Sequence, residues 1–350
     1  MDRLEKLAVL LTEGIGPVRF RKLIERFGTI EEIVNADIRD LLEILPEKVA
    51  FRVKSPDIEK ARRQVERARE MGVEIIFQDD DEYPQELRNI YHAPPVLFAR
   101  GNTELLRERK IAIVGTRKPT QYGLKMAYKF ASELADAGLV VVSGGALGID
   151  ARAHEGSMPR TIVVLGSGID KLYPRTNLPL FRRVLESGGL IVSQFPIGTM
   201  PSKETFPIRN LTIAGMSLGV LMVEGTEDSG ALITARYAFD FDREVFTVPN
   251  RVDVPQGKGP YVLIRENVAR VVEKPADILR ELGLGSGVAP SKEVILEGFE
   301  KQVFDAIVGR VHFDELLMKF QDYSRLSMAL LNLELKGLVE KLPGNYYQRR

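Results

Sequence analysis

Residues 109–129 concentrate positive charge in a chain that is neutral as a whole. The chain has 350 residues, of which 49 are basic and 49 acidic, yet this stretch holds six basic residues and no acidic one. The six are Arg109, Lys110, Arg117, Lys118, Lys125 and Lys129. Guanidinium and ammonium groups donate charge-assisted hydrogen bonds to phosphate and carboxylate oxygens. Affinity for an anion therefore depends on where this local charge collects.

The centre of the stretch, IAIVGTRKPTQYG (111–123), is an apolar run that leads into glycine and basic residues. Four later segments also place a glycine-bearing or polar loop after an apolar run. They are VVVSGG with ALGID, VVLG with SGIDKLYPR, IVSQF with PIGTMPSKETFPIRN, and LMVEG with TEDSGALITA. If these runs are parallel strands, all five loops emerge at the carboxyl edge of one sheet, where open α/β folds bind ligands.

Glycine lets backbone amides approach a ligand, and helix amino termini add partial positive charge. Lys171, Arg175, Lys203 and Arg209 lie in or beside the later loops and would bring further charge to the same rim. One such loop alone also fits a tight strand-to-helix turn. Five loops with convergent basic residues predict an anion site.

The spacing of the motifs narrows the choice of anion. A dinucleotide site needs GxGxxG, but Arg117 stands where the second glycine should be, and no segment has the GxxxxGK[ST] pattern of an ATPase. Several positive groups with Tyr173 and Phe206 among them suit a run of phosphates with bases stacked beside it. The residues favour a groove for single-stranded nucleic acid.

The sequence lacks the residues that disulfides, metal sites and nucleophilic catalysis would need. The chain has no cysteine, which excludes disulfides and thiolate metal sites and fits a reducing compartment. His92, His154 and His312 are far apart and form no HExxH motif, so we expect no metal and no cofactor. No GxSxG motif is present, and the AHEGS segment around His154 favours a packed or capping histidine.

The composition is that of a globular protein, with 44% hydrophobic and 28% charged residues. A chain of this length predicts two or three domains. The amino terminus, MDRLEKLAVLLTEG, does not resemble a signal peptide. No run reaches the roughly 18 apolar residues of a membrane span. We expect a cytoplasmic protein with no membrane partner.

Periodicity predicts an α/β protein with a doubly wound, mainly parallel sheet and smaller domains at both ends. Eight strands alternate with helix-length segments between residues 73 and 249. The predicted parts are a helical domain at 1–70 of helix-hairpin-helix or SAM-like type, a Rossmann-like domain at 71–282, a linker at 283–298 and a winged helix at 299–350.

The roles of the two terminal domains stay open at this level. The GIGP turn could place its amides near a phosphate, with Arg19, Arg21 and Lys22 as counter-charges, or it could be only a corner between packed helices. From Ser291 to Arg350 there are nine basic and nine acidic residues, so the winged helix could contact protein or DNA.

An ordered series of motifs resembles the DNA-processing protein A family, also called DprA or Smf. They are EYPQELRNIYHAPPVLFARGN, IAIVGTRKPTQYG, VVSGGALGIDARAHEGS, VLGSGIDKLYPRTN, FPIRNLTIAGMSLGVLMVEGTEDSGALITARYA and REVFTVPN. The resemblance spans nearly the whole chain. It implies an extended Rossmann domain that binds single-stranded DNA without catalysis, forms a homodimer, and loads RecA recombinase on DNA taken up in natural transformation.

The resemblance also implies a set of DNA-binding residues. It gives Arg117, Arg175, Lys203 and Arg209 as phosphate contacts and Asn210 as a hydrogen-bonding group. The remaining predicted site residues are Gly115, Thr116, Ser143, Gly144, Gly145, Gly166, Gly168, Lys171, Tyr173, Phe206 and Gly230. Leu147 and Leu211 stand where the family usually has arginine. Either binding is weaker here than in typical members, or those arginines serve loop architecture rather than DNA.

Two other functions remain as alternatives. Related Rossmann enzymes of the lysine-decarboxylase-like group cleave nucleoside monophosphates and carry a PGGxGT-type motif followed by a catalytic glutamate. Glu224, Gly225 and Thr226 match this pattern only in part. The basic rim could instead meet the acidic surface of a protein partner.

Overall fold

The computed structural model describes residues 3–284, 298–335, 338–342 and 344–349. These residues form two compact units, one within residues 1–287 and the other within 288–350. The predicted linker at 283–298 falls almost entirely outside the described residues. None of the helices in the described ranges is both long and apolar enough to cross a membrane.

Six helices occupy the described part of residues 1–70. They are α1 (Arg3–Leu10), α2 (Pro17–Phe27), α3 (Ile30–Asn35), α4 (Ile38–Leu42), α5 (Glu47–Lys54) and α6 (Ile58–Glu70). Local signals set their ends: Thr29 and Glu32 form a capping box at α3, and the Asp57 carboxylate accepts from the Lys60 N–H at the start of α6. Gly28 ends α2 at a φ of +83°, a left-handed conformation that favours glycine.

The helices of this segment divide their apolar side chains between two cores. Phe20 and Leu23 of α2 pack in a core within the helical segment. Leu7 of α1 and Ala61 of α6 instead pack in a cluster that includes Phe98 of the sheet. Helices α1 and α6 therefore attach the helical segment to the sheet.

Nine strands form a single sheet in the part of the larger unit that the structure describes. They are β1 (Glu74–Phe77), β2 (Val96–Gly101), β3 (Lys110–Val114), β4 (Val140–Ser143), β5 (Thr161–Leu165), β6 (Leu190–Ser193), β7 (Gly219–Met222), β8 (Glu244–Thr247) and β9 (Arg270–Val271). Their order is β1-β2-β6-β5-β4-β3-β7-β8-β9. At one edge, β1 pairs antiparallel with β2, and β2 pairs antiparallel with β6. Every other neighbouring pair in this order, from β6–β5 through β8–β9, is parallel. The predicted mainly parallel α/β sheet is confirmed.

Helices cover both faces of this sheet. They are α7 (Gln85–Arg88), α8 (Gln121–Asp136), α9 (Ile149–Ser157), α10 (Leu178–Glu186), α11 (Thr205–Gly215), α12 (Gly230–Asp240), α13 (Lys258–Arg265) and α14 (Pro275–Glu281). Along β3, Ala112 and Val114 join the apolar cluster of α11 and α12, while Ile111 and Ile113 join that of α8 and α9. Burial on both faces explains why the strands are continuous apolar runs.

The strand order reverses between β3 and β7. Strands β4, β5 and β6 extend to one side of β3, and β7 and β8 extend to the other. Such a reversal opens a crevice at the carboxyl ends of the strands. The eight predicted strands are all present, whereas the exposed two-residue strand β9 is too short to leave a pattern.

The smaller unit consists of three helices and a three-stranded sheet among its described residues. Its elements are α15 (Gly298–Ala306), β10 (Arg310–His312), α16 (Phe313–Phe320), α17 (Tyr323–Leu335), β11 (Val339–Leu342) and β12 (Tyr346–Arg349). The sheet order is β10-β12-β11, with all pairs antiparallel. The predicted winged helix with its closing hairpin is confirmed, and β10 is an addition that the sequence pattern missed.

Candidate nucleic-acid interface

A cavity of about 790 Å³ lies at the carboxyl ends of the parallel strands. Loops after β3, β4, β5, β6 and β7 all contribute to its lining, as the five-loop prediction requires. Predicted site residues among its lining are Gly115, Thr116, Arg117, Tyr173, Lys203, Phe206, Arg209, Asn210 and Gly230. The fold thus brings together in one cavity residues that are up to 115 positions apart, from Gly115 to Gly230.

Phe206, near the start of α11, is the aromatic centre of this cavity. The guanidinium carbon of Arg117 lies 5.7 Å from the centroid of its ring, and that of Arg209 lies 5.8 Å away. The Tyr173 ring is 5.8 Å from the Phe206 ring, tilted by 40°, and 43% of Tyr173 is exposed. Two positive groups and two aromatic rings therefore meet within one cavity, which suits phosphates and bases together.

Arg209 is held by the sheet as well as facing the cavity. Its Nη1 donates to the carbonyl oxygens of Gly144 at 2.6 Å and Val164 at 2.7 Å, and its Nε donates to the Asn210 side chain. Its Nη2 has no hydrogen-bond partner among the described residues. Burial lowers the pKa of Arg209 to about 10, opposed by attraction to Asp150, so the group stays protonated at neutral pH.

Asp150 is a lining residue that the sequence reasoning missed. Its carboxylate accepts from the backbone N–H of Gly144 at 3.2 Å and of Ala146 at 3.4 Å. Burial raises the pKa of Asp150, while the positive charge of Arg209 opposes the rise. The acidic residue at a helix start after a glycine loop, in GGALGID, was the available signal.

Several predicted glycines lie behind the cavity wall and make room for the binding side chains. A Cβ atom on Gly144 would lie 2.6 Å from the Arg209 guanidinium carbon, and one on Gly166 would lie 2.7 Å from the Phe206 ring. Neither glycine lines the cavity. Their small size is needed by Arg209 and Phe206, which differs from the predicted close approach of their backbone to a ligand.

Three other predicted residues also lie outside the lining. Ser143 is buried, and its hydroxyl donates to the Ile113 carbonyl at 2.6 Å. Gly145 has a φ of +66° and packs against Phe181, and Gly168 lies against the Pro196 carbonyl. These residues shape the loops after β4 and β5 from within the fold.

The predicted basic residues divide between the cavity and other places. Arg117, Lys118, Lys203 and Arg209 line it. Lys171 and Arg175 do not, although they share the loop of Tyr173. The Lys171 ammonium lies 3.4 Å from the Asp170 carboxylate, and Arg175 is exposed at the start of a 3₁₀ turn.

The basic residues of the 109–129 stretch do not all contribute charge to the rim. Lys110 is buried at the amino end of β3, where its ammonium lies 3.2 Å from the Glu86 carboxylate. Arg109, which precedes the strand, and Lys125 and Lys129 on α8 are exposed but do not line the cavity. The stretch spans a whole strand and most of a helix, so its basic side chains point in different directions.

Leu147 and Leu211, where the resemblance leads us to expect arginine, differ in their surroundings. Leu211 packs against the core and lines a second cavity, of about 690 Å³, with Tyr237 and Phe241. Leu147 is exposed and does not line the first cavity. Neither position contributes to the lining around Phe206.

The two side chains that could have suggested catalysis, His154 and Glu224, make contacts within the fold and outside the cavity. His154 is buried, its Nδ1 lies 2.7 Å from the Thr161 hydroxyl, and burial lowers its pKa to about 3. The Glu224 carboxylate is buried and accepts from the Thr120 backbone N–H at 2.9 Å and from its hydroxyl at 2.5 Å, at the start of α8. Neither residue lines the cavity.

Two family models match the chain. One, described as DNA recombination-mediator protein A, matches residues 74–283, and one described as the DprA winged helix domain matches residues 289–345. The chain belongs to the DNA recombination-mediator protein A (DprA) family. The resemblance predicted from the motifs is confirmed, and the DprA winged helix coincides with the smaller unit.

Individual DprA relatives agree with this assignment. The protein Smf of Synechocystis is 33% identical, over 98% of this chain and 98% of that protein. DprA of Streptococcus pneumoniae superposes with a TM-score of 0.70 at 30% identity, covering 79% of this chain and 97% of that structure. DprA of Helicobacter pylori, described for its single-stranded DNA binding mode, gives 0.56 at 30% identity, covering 61% and 96%.

Proposed function

We propose that this protein binds single-stranded DNA in the cavity around Phe206. The observation that carries the proposal is the placement of the Arg117 and Arg209 guanidinium groups close to one aromatic ring, at 5.7 and 5.8 Å. Such an arrangement can bind phosphates while a base stacks on the ring. The single-stranded DNA binding mode described for the Helicobacter pylori relative supports it.

Binding should be independent of base sequence. Every base has a π face that can stack on Phe206 or Tyr173, and phosphate contacts carry no sequence information. The exposed Lys203 and Lys118 add charge to the cavity lining without a fixed geometry for base edges.

The function is binding without catalysis. The Glu224 carboxylate caps α8 through Thr120, and the His154 imidazole is buried away from the cavity, so neither is available to a substrate there. We therefore expect no release of ribose 5-phosphate from nucleoside monophosphates.

The wider role that we propose is the one that the family resemblance implies. We place the protein in the cytoplasm as a homodimer that protects incoming single strands and loads RecA recombinase on them in natural transformation. Sedimentation velocity tests the dimer. Assembly of RecA on DNA already covered by a single-strand binding protein tests loading: filaments should form faster when this protein is present.

A mobility-shift titration tests the binding itself. Oligothymidine should shift at lower protein concentration than a duplex of equal length, and oligoadenine should shift at nearly the same concentration as oligothymidine. Log affinity should fall with log salt by roughly 0.7 per neutralised phosphate. Equal affinity for duplex, or an affinity that salt does not change, would contradict the proposal.

A further inference from the structure

Helix α6 does not line the proposed nucleic-acid interface, but it contacts two of the loops that do. None of the described residues that line the cavity belongs to α6. Yet Gln64 on this helix is buried, and its side-chain amide pairs with the backbone of Ile197 in both directions. Its Nε2 donates to the Ile197 carbonyl at 3.0 Å, and its Oε1 accepts from the Ile197 N–H at 2.8 Å.

A second contact from the same helix lies one turn further along. The Arg67 Nη2 donates to Asp170 Oδ2 at 3.0 Å, and the other oxygen of that carboxylate accepts from the Gly198 N–H at 2.7 Å. The Asp170 side chain is only 9% exposed, so this ion pair is better shielded from solvent than an ordinary surface pair.

These contacts meet two loops where the loops join each other. Asp170 belongs to the β5–α10 loop (166–177), and Ile197 and Gly198 belong to the β6–α11 loop (194–204). The Gly168 N–H of the first loop donates to the Thr199 carbonyl of the second at 2.8 Å. The first loop carries Tyr173 into the cavity and the second carries Lys203.

We infer that Gln64 and Arg67 are positioning residues for the nucleic-acid interface. Through Ile197 and Asp170 they hold the two loops so that Tyr173 and Lys203 face the same cavity as Phe206. Helix α6 therefore influences the affinity for a single strand without lining the cavity. This inference rests on the proposed function, since it concerns the same cavity.

The first test is a double-mutant cycle on oligothymidine binding with the full chain. Gln64→Leu keeps a buried side chain of similar volume but removes both hydrogen bonds, and it should weaken binding about tenfold. Because Gln64 would act partly through Lys203, the pair Gln64→Leu and Lys203→Ala should weaken binding by less than the product of the two single effects. Unchanged affinity in Gln64→Leu, or effects that multiply fully, would overturn the inference.

A matched pair on α6 separates positioning from simple charge. Arg67→Ala and Arg63→Ala each remove one positive charge from the helix. The Arg67 side chain donates to Asp170, whereas the Arg63 side chain is exposed and makes no ion pair or hydrogen bond with the described residues. Arg67→Ala should weaken binding several-fold more than Arg63→Ala. Equal losses of affinity in the two variants would show that α6 acts only through its overall charge, which would overturn the positioning role of Arg67.

Hydrogen exchange without DNA gives a readout that does not depend on binding. In Gln64→Leu and in Arg67→Ala, the amides of residues 194–204 should exchange faster than in the wild type, while those of β3 and β4 stay protected. Unchanged exchange would overturn the inference. If wild-type protein fails to bind oligothymidine but the loop exchange still responds, the proposed function fails and the positioning contact stands.

Discussion

The Nη1 of Arg209 donates a hydrogen bond to the carbonyl oxygen of Gly144 over 2.6 Å, although the two residues are 65 positions apart in sequence. This contact ties α11 to the end of β4, and the bond from the same nitrogen to Val164 ties it to β5. Arg209 is thus part of the fold and of the cavity at once. Arg117, which is exposed, belongs to the cavity alone.

Arg209→Ala should therefore destabilise the folded protein, and Arg117→Ala should not. Removing Arg209 leaves the Gly144 and Val164 carbonyls without their donor, which costs about 3 kcal/mol in the free energy of unfolding. Arg117→Ala should change it by less than about 0.5 kcal/mol, as is usual for exposed side chains. Urea unfolding measures both, and equal stabilities would contradict the double role of Arg209.

Arg117→Ala should make DNA affinity less sensitive to salt concentration. If Arg117 neutralises one phosphate, its loss lowers the slope of log affinity against log salt by about 0.7. Lys129→Ala is the control, because Lys129 is an exposed member of the same basic stretch that does not line the cavity. Its slope should equal that of the wild type; a similar drop in both variants would argue against a specific contact.

The Phe206 ring should contribute by stacking. Phe206→Leu keeps an apolar side chain but loses the aromatic face, and binding of oligothymidine and of oligoadenine should weaken by about 1–3 kcal/mol. Tyr173→Phe keeps its ring, so its affinity should stay close to that of the wild type. Fluorescence anisotropy measures these affinities. Full binding by Phe206→Leu would show that the ring only packs against Gly166.

His154 should make stability depend on pH. Its ordinary pKa is 6.5, and burial lowers it to about 3 in the folded protein. Below pH 6.5 the unfolded chain gains a proton that the folded chain does not accept, so the full contribution is present above this pH and declines as pH falls. Between pH 7 and pH 5 the loss is about 2 kcal/mol for this one group.

His154→Leu provides the comparison. The variant removes the titrating group, so its free energy of unfolding should decrease less between pH 7 and pH 5 than that of the wild type, whatever its stability at pH 7. Urea unfolding at the two pH values measures the difference. Parallel losses in the two proteins would mean that other groups carry the pH dependence.

The order of elements could be predicted because the signals are local. Continuous β-branched runs such as IAIVG mark strands buried on both faces, and parallel strands necessarily direct their following loops to one edge. The predicted edge of the sheet holds the cavity, and nine of the predicted site residues line it. Strand β10, with only three residues, carried too little pattern to be recognised.

The family, the mainly parallel sheet, the terminal helical and winged-helix parts, and the edge where the glycine-bearing loops gather could all be inferred from the amino-acid order. They depend on residue types over short windows and on the succession of motifs. Packing in three dimensions was needed to show that Arg209 and Asp150 lie at the cavity's inner wall, that Gly144 and Gly166 make room for Arg209 and Phe206, and that Lys110 points away. The physical reason is that side-chain direction and burial are set by contacts across strands distant in sequence, where a shift of one residue reverses the face that a side chain occupies.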